Sequence, residues 1–528
     1  MIEAIFEKLA NLPDKFWQRL AMIFLAYAGA NIAINVLPIP FMADKSFLVS
    51  IFAIILFTGI YLASKILVNP FSNYIIIQLM FFWMVLDVFL KKTVNISAKP
   101  HAVIFGFAIL AGIIYFFKNF NFLWKFITFR FIFIFFVINI IYYFCYYSDF
   151  NLNLINLTGI NMTSENQTAR TIIFLDSLAI FVSSIISLSL FTNINNKPEL
   201  DKIISKISKI LCYCFISFAL LFPLIGKNYV PGTQIALSIY FFLILGFKYY
   251  VDNIEDNNLI TPKFRNLMTV TAIILFGITI IKSNKSSLFA ILASTFLFVL
   301  INYRLKLKFH VSKLIENKKL GIIFAVLFVS LLFFIAVKFD IPKLIMQKLE
   351  AIFNSVTGGG ITSYYIRKSN WKLFLNYWSN HLDMFNCLFG FGLGKSREII
   401  YYLTRAQYSP TYLVQTTHNH YMDMFFDYGA VALFYFIPLI LIFYRNTLNL
   451  TNPKIHNNIK LISNISNCLI IFYFIYHYAD GLRVPTAIIF FSTLMVLEGI
   501  KYKLQKFYKN KAPNMFSNRG EVFKNEQT

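Results

Sequence analysis

Long apolar runs alternate with short polar segments along most of this chain. A run of roughly 17–25 apolar residues is long enough to cross the ~30 Å hydrocarbon core of a bilayer as a helix. By this criterion the sequence predicts about fourteen membrane spans and an all-α, polytopic transmembrane helical bundle. The runs lie at 17–37, 46–68, 71–90, 101–117, 127–147, 171–192, 209–225, 232–250, 266–282, 286–303, 320–338, 422–444, 461–478 and 484–499.

One long segment, residues 339–421, interrupts this pattern before the last spans. It mixes basic and aromatic residues, and Ile366, Phe374 and Trp378 recur there at helical spacing. We expect one long, partly helical loop whose apolar stripe lies along the membrane surface or on the spans beneath it. The predicted organisation is a transmembrane bundle at 1–338, the loop at 339–421, C-terminal transmembrane helices at 422–500 and a basic tail at 501–528.

The composition excludes a soluble protein and orients the spans. The chain is 58% hydrophobic and 14% charged, whereas soluble domains are about 45–50% apolar and 25% charged. The 48 Lys and Arg residues outnumber the 24 Asp and Glu residues. They gather in alternate short segments between spans, as the positive-inside rule requires, so they indicate topology rather than nucleic-acid binding. Both termini are predicted inside and the long loop outside. The basic clusters at 304–319 and 501–511 are topology signals or sites for anionic lipid.

A glycine-rich run, Gly-Phe-Gly-Leu-Gly-Lys-Ser at residues 390–396, lies inside the long loop. A nucleotide phosphate loop needs a glycine five positions before Gly394, and Phe389 stands there. The run is therefore not a nucleotide site. Its backbone N–H groups could cradle another anion, and a plain tight turn is the simpler interpretation.

Two histidines, His418 and His420, flank Asn419 where the next apolar run begins. Histidine has an unperturbed pKa of about 6.5, so it can act as a base near neutral pH; a solvated residue at the membrane edge is the alternative. If a helix starts at His418, the two side chains point about 200° apart and only one faces a shared cleft. The five Cys are scattered, so the sequence predicts neither a metal site nor a disulfide framework.

Three elements follow one another in a fixed order: Arg367 with Trp371 four residues on, the glycine-rich segment 388–394, and Thr417-His418-Asn419-His420-Tyr421-Met422 followed by Asp427-Tyr428-Gly429-Ala430. They resemble the bacterial O-antigen ligase and polymerase superfamily, in detail over residues 266–445. The resemblance implies transfer of a glycan from undecaprenyl pyrophosphate to an acceptor hydroxyl at the periplasmic face of the bacterial inner membrane. It also implies that no cofactor, nucleotide or nucleic acid takes part and that membrane lipids surround the protein.

The resemblance assigns roles to individual residues. His418 is the catalytic base, and Arg367 and Lys285 bind the donor pyrophosphate. Lys285 stands where the family has an arginine, so it keeps the charge but lacks the planar fork. Because two cations can neutralise the departing pyrophosphate, and the chain has no Asp-x-Asp, a metal-independent reaction is expected. Asn419 either orients the His418 ring or, more simply, caps the following helix. Further supporting residues are Lys395, Arg397 and Trp371.

The acceptor distinguishes three related activities. A ligase joins the O-antigen to lipid A-core, a polymerase extends another lipid-linked repeat, and a protein O-oligosaccharyltransferase modifies a Ser or Thr hydroxyl. A polysaccharide transporter or flippase is the alternative from another class. It predicts ionisable residues deep within spans, whereas Asp87 and Asp176 lie near predicted outer ends. We expect the ligase activity.

Overall fold

The computed structural model describes residues 69–71, 73, 74, 78, 100–144, 163–225, 233–252, 261–282, 285–305, 363–396, 399, 419–478 and 484–522. Within these ranges the chain forms helices joined by turns and contains no β-strand, which confirms the all-α class for this part. The predicted spans at 17–37, 46–68 and 320–338 lie outside the described residues, as does most of 71–90.

Each apolar run between residues 100 and 305 corresponds to a helix. These helices are α1 (Pro100–Leu123), α2 (Ile127–Phe144), α3 (Thr163–Ser189), α4 (Lys197–Ile225), α5 (Thr233–Asp252), α6 (Pro262–Lys282) and α7 (Lys285–Arg304). Most residues of these helices are apolar. A helix also hydrogen-bonds its own backbone N–H and C=O groups, as a segment inside a membrane must.

The described part of the long loop and the C-terminal region are also helical. They form α8 (Ser363–His381), α9 (Met384–Phe389), α10 (His420–Tyr428), a 3-10 turn (Gly429–Ala432), α11 (Leu433–Thr451), α12 (Asn457–His477) and α13 (Val484–Val522). The predicted span at 422–444 lies within a helical stretch, His420–Thr451, that is a candidate membrane span, but this stretch is not one uninterrupted α-helix. Gly429 has φ +59° and ends α10, so a 3-10 turn separates α10 from α11.

Two helical stretches of the described chain are long and apolar enough to be candidate membrane spans, His420–Thr451 and Asn457–His477. Several shorter helical segments are apolar too, namely Ala108–Leu123, Ile127–Tyr143, Ile173–Ser189, Phe264–Thr279 and Phe289–Arg304. The total of about fourteen spans, the N-in, C-in topology and the four chain regions stay predictions.

The C-terminal helices form the scaffold on which the rest packs. α13 packs along α3, α5 and α12, and α12 also contacts α7 and α11. Inside this scaffold, the Asn464 side-chain amide of α12 donates to the Asn302 amide oxygen at 2.7 Å and to the Phe298 carbonyl at 3.2 Å. A buried amide needs such partners, and the bonds fix α12 against α7.

Candidate active site

Helix α10 begins at His420, and Asn419 is its N-cap. Asn419 has extended backbone angles, φ −143° and ψ 105°, and its side-chain oxygen accepts from the N–H groups of Tyr421 at 3.1 Å and Met422 at 3.2 Å. The capping role predicted for Asn419 is confirmed. The sequence considered a helix starting at His418, whereas the described helix begins two residues later. His418 itself lies outside the described residues.

The glycine-rich run is a tight turn with a backbone that only glycine adopts readily. Gly390, Gly392 and Gly394 have φ of +73°, +101° and +78°, in the region where a Cβ atom is strained. Space is limiting as well, since a Cβ at Gly390 would lie 2.4 Å from the Asp427 carbonyl oxygen. The Gly-x-Gly-x-Gly pattern thus permits the turn to lie directly against the backbone of α10.

The N–H groups of this turn donate hydrogen bonds to backbone carbonyls and to a carboxylate of α10. Phe391 donates to the Phe426 carbonyl at 2.8 Å, and Gly392 donates to the Asp427 carbonyl at 3.1 Å. The Asp427 carboxylate accepts from Gly394 at 3.1 Å and from Ser396 at 2.8 Å. These N–H groups are bonded within the protein, so the anion-cradle interpretation fails for them. The run serves to dock α10.

Helix α8, which carries Arg367, docks on α10 through aromatic side chains. The Phe426 ring lies 4.6 Å from that of Phe374, 6.0 Å from that of Trp378, and stacks on Phe391 at 4.3 Å, measured between ring centroids. Phe374 and Phe426 are fully buried. The apolar stripe predicted for α8 therefore lies in part on α10.

Trp371 fixes α8 to a second helix. Its ring is buried and meets Tyr478, directly after α12, edge to face at a centroid distance of 5.7 Å. Packing of this kind places Trp371 between two elements. This contact joins α8 to the end of α12.

The other predicted residues are placed less completely. Lys285 is the first residue of α7, and Arg367 lies in the first half of α8; the side-chain positions of both fall outside the described part. Lys395 is half-buried in the glycine-rich turn. Arg397, like His418, lies outside the described residues. The structure thus brings the helix of Arg367 and the turn together on the last residues of α10, Phe426 and Asp427.

Helix α2 holds the same assembly from another side. The Tyr428 hydroxyl of α10 donates to the Asn139 amide oxygen at 2.5 Å, and the Tyr142 hydroxyl donates to the Phe389 carbonyl at 2.7 Å. Tyr428 and Asn139 are fully buried, so water does not compete for their bond. These tyrosine contacts were not predicted, because they join residues far apart in sequence.

A small pocket of about 30 Å³ lies between α2, α3, α10 and α11. Its polar lining includes Asp176, His420, Asp423 and Asp427, all buried. The His420 ring lies 5.3 Å from that of Tyr435. The sequence did not single out this acidic pocket, although an ionisable residue within a span, such as Asp176, is a functional signal by itself. Among the described residues no His, Cys, Asp and Glu side chains group in a way that holds a metal ion.

Comparison with known proteins identifies part of the chain. A search of curated proteins found no match. A model of a protein family described as O-antigen ligase matches residues 270–437. The matched segment includes α7, α8, the glycine-rich turn and α10, whereas the supporting contacts from α2, α3 and Tyr478 come from outside it. Residues 270–437 are therefore similar to the O-antigen ligase family, which confirms the resemblance of this part of the chain to the O-antigen ligase and polymerase superfamily.

Proposed function

We propose that this protein is a membrane glycosyltransferase that moves an undecaprenyl-pyrophosphate-linked O-antigen glycan onto lipid A-core. The family supports a transferase of lipopolysaccharide biosynthesis in a membrane. The observation that carries the proposal is the docking of α8 and the glycine-rich turn on α10. Three segments that are weak motifs separately meet in space, as a shared reaction centre requires.

The proposed reaction is a displacement at the anomeric carbon of the donor sugar. The acceptor hydroxyl attacks this carbon and forms a new C–O bond, while the bond to the pyrophosphate oxygen breaks and its electron pair leaves with undecaprenyl pyrophosphate. His418 accepts the hydroxyl proton, which typically contributes about 10²–10⁴-fold to the rate. Arg367 and Lys285 neutralise the charge on the departing pyrophosphate, so the reaction uses neither a metal ion nor a nucleotide.

The positively charged residues near the turn support the same assignment. Lys395 lies in the turn itself, and Arg397 follows two residues later. Both add positive charge to this part of the chain, and positive charge favours binding of an anionic donor. We place this site at the periplasmic face of the bacterial inner membrane, in contact with membrane lipids.

Two relatives of the ligase share the proposed chemistry and differ only in the acceptor. A polymerase uses a lipid-linked glycan as acceptor, and a protein O-oligosaccharyltransferase uses a Ser or Thr hydroxyl. A transporter or flippase would move the lipid-linked glycan without breaking its bond to pyrophosphate. The similarity of residues 270–437 to the O-antigen ligase family supports glycan transfer over transport.

A deletion strain complemented with the gene tests the proposal. We expect loss of the protein to remove the lipopolysaccharide ladder while lipid-linked polymer accumulates. A single repeat left on lipid A-core indicates a polymerase instead. A normal ladder, or no transfer by the purified protein given lipid-linked glycan and lipid A-core, contradicts the ligase proposal.

A further inference from the structure

The short helix α9 presents an apolar surface to the outside of the protein. We define the apolar surface of α9 as Met384, Phe385, Leu388 and Phe389. Met384 is 81% exposed and Phe385 is 57% exposed, and none of the six residues of α9 is buried. None is charged either. Contiguous exposed apolar residues of this kind mark a site of interaction.

The backbone of α9 is fixed to the ends of two longer helices. The Phe389 carbonyl accepts from the Tyr142 hydroxyl, two residues before the end of α2. At the other side, a Cβ added to Gly429 would lie 2.6 Å from the Cys387 carbonyl oxygen, so α9 lies against the start of the 3-10 turn that leads into α11. The apolar surface of α9 is therefore held at one end of the bundle.

Exposed apolar stripes on α2 and α11 run toward that same end. Residues spaced by four or seven positions share one face of a helix. On both helices such residues are exposed, Ile127, Ile134 and Ile141 on α2 and Leu433, Ile440, Tyr444 and Leu448 on α11. The stretch containing α11 is also a candidate membrane span. An exposed apolar stripe along a span faces lipid.

We propose that α9 inserts its apolar surface into the boundary between lipid headgroups and acyl chains, and thereby holds the glycine-rich turn at a fixed depth. The inference rests on the membrane placement given under the proposed function. The bilayer is the expected occupant, because α9 lies beside the end of α2 and the turn that leads into α11, and exposed apolar residues of both helices, Ile141 and Leu433, lie at that same end. An uncharged helix with exposed Phe, Leu and Met side chains suits this boundary. The pyrophosphate of a lipid-linked donor lies at the same depth.

Cys387 gives a direct test, because it is an exposed free thiol within α9. The full-length protein, with its other four cysteines replaced, is labelled with a nitroxide at Cys387 and reconstituted in nanodiscs of phosphatidylethanolamine and phosphatidylglycerol. Collision rates are measured with oxygen, which concentrates in lipid, and with a water-soluble nickel chelate. Labels at Ile141→Cys and Asn380→Cys, in a background without Cys387, serve as the lipid and water references; both positions are exposed.

We expect an oxygen-to-nickel collision ratio at Cys387 close to that at position 141 and several-fold above that at position 380. The double variant Met384→Asn, Phe385→Asn should lower the oxygen-to-nickel collision ratio at Cys387 toward the value at position 380. A ratio equal to that at position 380 overturns the proposal, as does a label that enters an apolar environment only when undecaprenyl pyrophosphate is added. The collision ratio needs no catalysis, so a protein that shows lipid contact at Cys387 but transfers no glycan contradicts the proposed function alone.

Discussion

At the residue scale, Asp427 is the strongest link between the glycine-rich turn and α10. Its carboxylate accepts hydrogen bonds from the N–H groups of Ser396 at 2.8 Å and Gly394 at 3.1 Å, and the residue is 1% exposed. Hydrogen bonds to a carboxylate are roughly twice as strong as those between neutral groups. Asp427 is thus a positioning residue, since it acts on the site through the turn.

Replacing Asp427 with Ala should lower the melting temperature of the purified protein. Each buried N–H group left without its acceptor costs about 1–3 kcal/mol. Asp427→Asn should lose less, because its amide oxygen still accepts one bond. The control is Asp383→Ala, which removes an exposed carboxylate that accepts one N–H, from Asn386 at 2.6 Å. Equal melting temperatures for Asp427→Ala and Asp383→Ala, measured in detergent, would contradict this account.

The two histidines should respond differently to replacement. His418→Ala should lower turnover by about 10²–10⁴-fold, because a base is needed only when the hydroxyl attacks, and donor binding should persist. His420→Ala should mainly reduce stability, because His420 is buried against Tyr435 and lies 5.2 Å from His477 between ring centroids. In vitro ligation, normalised to folded protein, separates the two effects. Equal losses of turnover would remove His418 as the base.

The effect of replacing Arg367 or Lys285 should depend on whether the new side chain can form two parallel hydrogen bonds to the pyrophosphate. Arg367→Ala should abolish most transfer, and Arg367→Lys should recover only part, because a point charge replaces a bidentate fork. Lys285→Arg should be tolerated, since it supplies the fork that the family has. The measurement is glycan transfer in membranes with equal protein levels. Full activity of Lys285→Ala would exclude Lys285 from the site.

Local and distant contacts differ in how far the sequence reveals them. The capping by Asn419 was predictable, because its partners lie two and three residues away. The partners of Asp427 lie 31 and 33 residues away, and no local period relates them. The glycine spacing predicts a turn, but it does not predict that the N–H groups of this turn bond to α10.

At the element scale, apolar runs located the helices but not always their ends. α4 begins at Lys197, whereas the run begins at 209. The early start follows from capping: the Asn196 side chain accepts from the Glu199 N–H at 2.9 Å, and the Glu199 carboxylate accepts from the Asn195 N–H at 2.9 Å. This arrangement is similar to a capping box, except that Glu199 accepts from Asn195 rather than from Asn196. The Asn-x-x-Glu spacing predicts such a helix start, whereas hydropathy does not.

Helix contacts at glycine are a second feature that hydropathy misses. A Cβ at Gly499 of α13 would lie 2.2 Å from the ring of Phe191, which is fully buried. Gly499→Ala should therefore destabilise the protein by overpacking, by about 1–3 kcal/mol. Gly277→Ala is the matched control, because a Cβ there meets nothing within 4 Å. Thermal unfolding in detergent should show a lower melting temperature only for Gly499→Ala.

At the scale of the whole molecule, the packing defines two ends of the helical bundle. Lys503 donates to the Ile194 carbonyl at 2.6 Å, and Tyr250 donates to the Asp201 carboxylate at 2.8 Å, so several predicted inside segments meet. Burial lowers the pKa of Lys503. The contact of Tyr142 with Phe389 joins the predicted outer end of the span at 127–147 to the loop that is predicted outside. The sequence predicted each segment's side from charge alone, but it could not predict which segments touch, because helix pairing depends on side-chain fit across distant runs.

Reporter fusions test whether these two ends face opposite sides of a membrane. Fusions after positions 160, 400 and 482 should report outside, and fusions after 200, 312 and 510 should report inside, because basic residues concentrate in the short segments of the second group. Because Lys503 contacts Ile194, the fusions after positions 200 and 510 must report the same side of the membrane. Counting charges does not by itself require this. Alkaline phosphatase activity marks the outside, and green fluorescence marks the inside. An inside signal at position 400 would place the glycine-rich turn away from a periplasmic acceptor, and both the topology and the proposed transfer would fail.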